Sequence, residues 1–417
     1  LANCLIGSSL LLIPVLTIAE TFSASKTKIM DKIKNVFIVT LMLLSTGSYC
    51  QSNYQNLTKE LLKEYKNSNL TGFAVSIVNT DSILYNEAFG YENIAIEKKY
   101  SLNQRFNIAS ISKTFIGIGL MKLVEEGKLE LSTPINSILP FPVVNPYHKN
   151  QKITVEHLAR HTSSILFGEL GTKAWYLDSE FLLEKKEIGK TAYNDFRCWE
   201  KNSKLELGDF LRESLSLEGE FYSKKNFSKK KPGESYDYSN LGAALAAYII
   251  ELKTGIKFNQ YVENFVAKEL NFKSGVWRHI SNNELPTSYF QTKVETPIHR
   301  PILYPTGGMI LSCNELTQYL IEMIKGYNGN SQILSLESFT TMMSNPDNGR
   351  SGIFWELNDN KVGHNGGNYG TTCFMSFDKE TGIGKIFMTN ISSYNNEDLL
   401  KEMIAIWKKL GEYENKL

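Results

Sequence analysis

What this chain of 417 residues has least of is net charge: 45 Lys and Arg against 44 Asp and Glu leave +1. So even a balance gives no electrostatic ground for binding nucleic acid or an acidic surface. Cysteine is scarce as well, five in all, and Cys198, Cys313 and Cys373 fall at no spacing that suits a metal. With Cys4 and Cys50 set aside the remainder is odd, so at least one thiol stays unpaired within the chain. The sequence contains no glycine loop that would cradle phosphate, no internal repeat and no low-complexity tract. No metal and no cofactor are expected. Long apolar runs are missing too. After a stretch from Leu5 to Ala19, the run from Val36 to Leu44 is too short to span a bilayer comfortably. With the basic segment from Met30 to Lys34 before it and small residues at Ser45 to Ser48 after it, this run predicts a signal peptide cleaved near Cys50/Gln51. The product is then exported, periplasmic or secreted, and residues 1–29 form an upstream extension.

What remains has ample material for a core, being 42% hydrophobic and 21% charged. Strand signals at 72–91 and 371–390 bracket a mostly helical middle. That order predicts an α+β fold: an antiparallel sheet assembled from both chain ends and flanked by the first and last helices, plus a mostly helical lobe. The closing helix is expected from Glu397 to Leu410, with Leu399, Leu400, Met403, Ile404 and Trp407 on its covering side. Residues 51–417 then form one unit with an α/β lobe (51–109 and 298–417) and a helical lobe (110–297), behind a discarded segment 1–50.

Three short motifs follow one another in the chain: Ser110-Ile111-Ser112-Lys113, Tyr238-Ser239-Asn240 and His364-Asn365-Gly366. A serine three residues before a lysine at the start of an apolar helix puts a nucleophile and a proton acceptor on one face. Tyr238 adds a second titratable group, Asn240 an orienting amide, and the Gly-flanked strand a backbone N–H for a developing oxyanion. Together they spell acyl transfer through a serine ester. Ser-x-x-Lys alone is weak, because it recurs at Ser23/Lys26, Ser25/Lys28, Ser228/Lys231 and Ser376/Lys379. The first two precede the signal segment, Ser228 sits in a lysine run that reads as a solvated loop, and Ser376 lies on a strand where i and i+3 point apart. Lys253-Thr254-Gly255 reads as a helix stop.

Ser110 differs in its surroundings. Phe106 to Ala109 reads as an extended approach, and Ile111 to Glu126 carries apolar residues at helical spacing before Gly127. The serine therefore stands at a helix N-terminus, where its own N–H lacks a helical partner and negative charge is favoured.

From Phe106 to Phe115 the chain resembles the first motif of the serine beta-lactamase-related proteins: class C beta-lactamases, the D-alanyl-D-alanine carboxypeptidases close to them, and related esterases and D-aminopeptidases. Gly72 to Val78 with Ala88 to Tyr91 resembles the family's first hairpin. Leu158 to Ser164, Pro232 to Leu241, Pro305 to Met309, Gly363 to Gly370 and Glu380 to Asn390 resemble its later blocks. The resemblance implies a beta-lactamase/transpeptidase-like fold with Ser110 as the acylated nucleophile, Lys113 as its activator and Tyr238 as the proton shuttle to the leaving group. It further implies that Asn240, His364 and Gly366 bind substrate and that the backbone N–H groups of Ser110 and Gly367 form the oxyanion hole, each donor contributing about 100- to 1000-fold. Which of Lys113 and Tyr238 holds the proton is left open by the sequence. His161 reads as structural, capping a turn with Thr162.

Two departures matter. His364 opens the third motif where most beta-lactamases carry lysine, and within the family this points to carboxypeptidase-, esterase- or aminopeptidase-like members. Ser164 stands where glycine is usual, and the stretch from Leu166 to Lys231 is longer than expected. In that insertion Trp175, Tyr176, Phe196 and Trp199 are either pocket or core, and Lys224, Lys225, Lys229, Lys230 and Lys231 either meet an anionic cell-wall fragment or are simply solvated; the second reading is the better in each case. The expectation is an exported serine hydrolase opening an amide or ester, with a D-amino-acid peptide or small ester as substrate and peptidoglycan fragments among the candidates. The alternatives are a class C-type beta-lactamase and a non-catalytic penicillin- or peptidoglycan-binding relative.

Overall fold

The computed structural model describes residues 52–417 except 274–276, 278–285, 292–293, 348 and 395. The expected signal segment, with Cys4 and Cys50, lies outside the described residues. Seven strands build the main sheet: β1 (Gly72–Val78), β2 (Ile83–Asn93), β3 (Lys98–Lys99), β4 (Glu356–Asn358), β5 (Lys361–Asn368), β6 (Thr371–Asp378) and β7 (Gly384–Thr389). Their order is β4-β5-β6-β7-β1-β2-β3, antiparallel throughout. Both ends of the chain meet at its centre, where Phe73 faces Thr389 on one side and Phe89 on the other. The helices that matter for the site are α1 (52–66), α2 (Lys113–Glu125), α3 (Lys185–Trp199), α4 (Asn240–Thr254), α5 (Cys313–Tyr327) and α6 (Glu397–Tyr413).

Every residue of β1 is buried, because the sheet is covered on both faces. Its alternation is still visible: Phe73, Val75 and Ile77 enter one core while Ala74 and Val78 enter the other. The first core packs Leu57 and Leu61 of α1 with Leu399, Met403, Ile406 and Leu410 of α6. This is the expected cover by first and last helices, with the stripe corrected. Leu400 and Ile404 stay 37% and 36% exposed, because the buried positions advance by four, three and four residues, and a neighbour in sequence is turned by about 100°.

On the other face, α2 buries Phe115, Ile116, Ile118, Leu120, Met121 and Leu123. A helix apolar nearly all round belongs in an interior, so it anchors its N-terminal turn from every side. Gly117 lets another segment come close: a Cβ there would lie 2.5 Å from the Ile353 carbonyl oxygen. The chain continues from that contact through Phe354, held at φ 59°, into β4.

The sequence decoys fall where their contexts put them. Gly255 caps α4 at φ 71°, Ser376 lies within β6, and the five lysines of the insertion are exposed, with Lys225 paired to Glu169 at 2.9 Å and Lys230 to Glu234 at 3.4 Å. Within the same insertion Phe196 and Trp199 are core, packed with Phe181, Ile188, Phe290 and Tyr369. Cys198, Cys313 and Cys373 are all free, the last two buried.

Candidate active site

The turn that carries Ser110 is pinned before α2 begins. Phe106–Asn107 pairs with Ile310–Leu311, and Ile108 N–H donates to the Met309 carbonyl at 3.0 Å. The Asn107 amide donates to the Gly307 and Met309 carbonyls at 2.8 and 3.1 Å, and its oxygen accepts from Ala109 N–H at 3.1 Å. Ala109 is thereby held at φ 46°, a left-handed conformation that a non-glycine residue adopts at a cost of about 1–3 kcal/mol and keeps only where its surroundings fix it. Ser110 follows in a short 3-10 turn, Ala109–Ser112, that runs into α2 at Lys113. The helix expected from Ile111 thus opens in a tighter winding.

Lys113 is completely buried and donates to Ser110 Oγ at 2.9 Å and to the Thr306 carbonyl at 2.7 Å. Desolvation holds its pKa well below the ordinary 10.5, with the Glu356 carboxylate pulling weakly the other way. The neutral amine is thereby favoured relative to a solvated lysine. Tyr238 lies alongside, its ring centre 5.0 Å from Lys113 Nζ. Although 39% of the residue is open to solvent, desolvation of the phenol raises its pKa above 10.0, and the Ser110 side chain opposes that rise. The proton question left open by the sequence thus has a direction, toward neutral amine and neutral phenol.

His161 does more than cap a turn. Its carbonyl accepts from Asp237 N–H at 2.7 Å, its Nδ1 accepts from Ser239 N–H at 3.2 Å, and its ring lies 4.6 Å from the ring of Tyr238. The residues on both sides of Tyr238 are held by one histidine. Burial, with Lys113 and His364 nearby, holds its pKa well below 6.5, so it is neutral and free to accept at Nδ1. The motif Leu158 to Ser164 marked this segment, but nothing in it marked the ring as a neighbour of Tyr238.

His364, 3% exposed on β5, stands 6.2 Å from the Tyr238 ring. Its Nδ1 is 2.7 Å from the Asn365 carbonyl and 3.8 Å from Glu356 Oε1. Burial and then the Lys113 charge push its pKa down to about 3, so it carries no positive charge near neutrality. Glu356 was not anticipated. It reaches the group through Phe354, whose N–H donates to the Ala159 carbonyl at 2.9 Å.

A small cavity opens beside the nucleophile and is lined by Ser110, Asn240, Thr306, Gly307, Gly367 and Asn368, among others. Asn240 Oδ1 is buried there without a hydrogen-bond partner. Ser110 and Gly367, the two residues expected to supply oxyanion donors, share this wall. The neighbouring glycines differ. A Cβ on Gly367 would meet nothing within 4 Å, whereas one on Gly366 would lie 2.4 Å from the Ile108 carbonyl oxygen and 3.2 Å from Ser110 N. Gly366→Ala is therefore expected to push β5 away from the Ser110 turn. The loss should be about 100-fold in kcat/KM, as for a misplacement of about 1 Å, with a lower Tm, whereas Gly367→Ala keeps the Tm. Steady-state kinetics and thermal melts of the two variants test this.

Lys113 thus contacts Ser110, Gly366 lies against its turn, Asn240 and Gly367 line the cavity beside it, and Tyr238 and His364 follow on from Lys113. Protein flp of Staphylococcus aureus (strain N315) is 21% identical over 350 residues, covering 81% of this chain and 63% of that protein; the chain spans less than two thirds of that relative's length. The octameric penicillin-binding protein homologue from Pyrococcus abyssi superposes with a TM-score of 0.65 at 22% identity over 86% of this chain and 77% of the other. The D-amino acid amidase from Ochrobactrum anthropi SV3 does so with a TM-score of 0.60 at 19% identity over 86% and 99%. These likenesses carry the fold. The profile of the beta-lactamase family matches residues 55–405, most of the described chain, and the chain belongs to that family.

Proposed function

We propose that this protein is an exported serine hydrolase that opens an amide or ester through an acyl-enzyme on Ser110, with a D-amino-acid peptide or small ester as substrate. One observation carries the reading: a fully buried amine lies 2.9 Å from the hydroxyl of Ser110. In the proposed reaction Lys113 takes the Ser110 proton as Oγ attacks the substrate carbonyl. The N–H groups of Ser110 and Gly367 hold the oxyanion, and Asn240 orients the substrate amide. As the bond to the leaving amine or alcohol breaks, Tyr238 passes a proton to it and is reprotonated from Lys113. Water then takes the place of the leaving group, and the ester on Ser110 is hydrolysed by the same groups in reverse order.

Within this reading the neutral state of His364 favours a small ester or amide without a free carboxylate over a beta-lactam or a peptide with a free C-terminus. It brings no cation with which to hold a substrate carboxylate. The D-amino acid amidase of the same fold is consistent with an amide substrate. Peptidoglycan fragments remain within the proposed class.

The pH dependence follows from signs. A lysine with a lowered pKa is an acceptor above that pKa and is lost as a base when acid protonates it. Accordingly kcat/KM should fall through a single-proton limb toward acid, with a midpoint well below 10.5. His161 and His364, both depressed, add no limb near neutrality. At the alkaline end the raised Tyr238 phenol keeps its proton past pH 10.0. Rates on a D-alanyl peptide, a para-nitrophenyl ester and a chromogenic cephalosporin, measured across pH, test the proposal. Fast cephalosporin turnover with no amide or ester hydrolysis overturns it in favour of a beta-lactamase.

A further inference from the structure

The cavity at Ser110 does not end with the catalytic groups. It shares Phe167, Trp175, Asn240, Gly367 and Asn368 with a second, larger cavity. The insertion forms much of that wall through Glu169, Trp175, Asp195 and Trp199, and Tyr369 and Tyr394 close it. Neither Lys nor Arg lines it. The aromatic rings are held by packing: Trp175 stacks on Trp199 at 5.3 Å and 23°, and Tyr369 meets Tyr394 edge-on at 5.1 Å. Part of the earlier alternative is thus answered both ways, because Trp199 is core on one side and cavity wall on the other.

The polar groups in this wall have one character. Asp195 accepts from the Tyr369 hydroxyl at 2.7 Å and has no cationic partner among the described residues. Trp199, 4% exposed, keeps its indole N–H buried without an acceptor. Glu169 is committed to Lys225. A carboxylate without a counter-ion, set among aromatic faces, attracts a cation through both charge and ring quadrupole.

We propose that this second cavity is a subsite for an ammonium group on the acyl half of the substrate, with Asp195 as its specificity-determining carboxylate. The proposal rests on the serine-hydrolase reading, which also fixes the direction. Tyr238 and His364 line neither cavity, so a leaving group protonated by Tyr238 departs on their side. The retained acyl group then extends past Asn240 and Gly367 toward Asp195. Uncharged or anionic acyl groups gain nothing from Asp195, and a carboxylate there is repelled.

The test uses the full chain and para-nitrophenyl esters of glycine, beta-alanine and epsilon-aminocaproate, each beside the isostere in which methyl replaces the ammonium. At neutral pH at least one ammonium ester should exceed its isostere by about tenfold in kcat/KM. In Asp195→Asn, which keeps an acceptor for Tyr369, that ratio should fall to within about twofold; Tyr369→Phe, which leaves the carboxylate in place, should retain it. Taking a ratio within each enzyme removes differences in folding or overall rate. Equal rates on every pair, or a preference that survives in Asp195→Asn, overturn the subsite while leaving the hydrolase reading intact. No turnover of any ester together with no adduct on Ser110 overturns the hydrolase reading, and the subsite falls with it.

Discussion

Lys113→Met should all but abolish turnover while making the protein more stable. The activity loss follows from the removal of the proposed proton acceptor, a change worth about 10²- to 10⁴-fold. The gain in stability follows from linkage. Below pH 10.5 the unfolded lysine is protonated more fully than the buried amine, whose pKa desolvation holds well below that value, so the unfolded state binds the extra proton and is favoured by it. Methionine fills nearly the same volume and removes that penalty, at the loss of hydrogen bonds to Ser110 and Thr306. We expect Tm to rise by about 2 °C or more, and the advantage over the parent to shrink as pH climbs toward 10.5. Calorimetry of both proteins at two pH values checks the sign. A variant that melts lower, or an advantage that does not change with pH, would mean that Lys113 is held as a cation.

Ser110→Ala carries the largest kinetic effect. Where a nucleophile and its base act as a unit, removing either costs on the order of 10⁶-fold in kcat, and what remains comes from the oxyanion donors and binding alone. The same substitution at Ser228 or Ser376, which have a lysine three residues later but lie in a loop and in β6, should leave the rate within about twofold. Steady-state rates of the three variants on one ester separate the motif from its copies. A Ser110→Ala enzyme that retains most of its rate refutes the assignment.

The sequence was most informative where local geometry and chemistry coincide. Ser110 and Lys113 are three residues apart on one turn, so once the apolar helix after Ile111 singled this pair out from its copies, the spacing put amine and hydroxyl together. The sheet was legible because β1, β6 and β7 alternate or run apolar in short segments bounded by turn residues, and the bracketing of a helical middle set their order. Tyr238 and His364 needed the joint order of the motifs and the family likeness, since each is remote in sequence from Ser110. Three neighbours were missed for distinct reasons. Thr306 contributes a main-chain carbonyl, which every residue has, so no side-chain pattern could announce it. His161 holds Asp237 and Ser239 through contacts set by its own left-handed backbone at φ 57°, and backbone conformation is only weakly written in residue type for a histidine. Glu356 reaches Lys113 and His364 because Phe354 turns at φ 59° beside Gly117, a tertiary arrangement with no local signature.

The insertion shows the opposite case. Its aromatic residues were legible as core, and Phe196 is core. The cavity wall emerged only when Tyr369, carried by the turn between β5 and β6, packed against Trp199 and bonded Asp195. The proposed acylation apparatus and the proposed acyl subsite therefore draw on different parts of the chain, as expected when one fold serves many substrates.

Intact mass spectrometry after treatment with a fluorophosphonate, with Ser110→Ala alongside, examines the central claim most directly. A single covalent adduct that maps to Ser110 and is absent from the variant is the expected result. No adduct on a folded protein, or one that persists without the Ser110 hydroxyl, would contradict it.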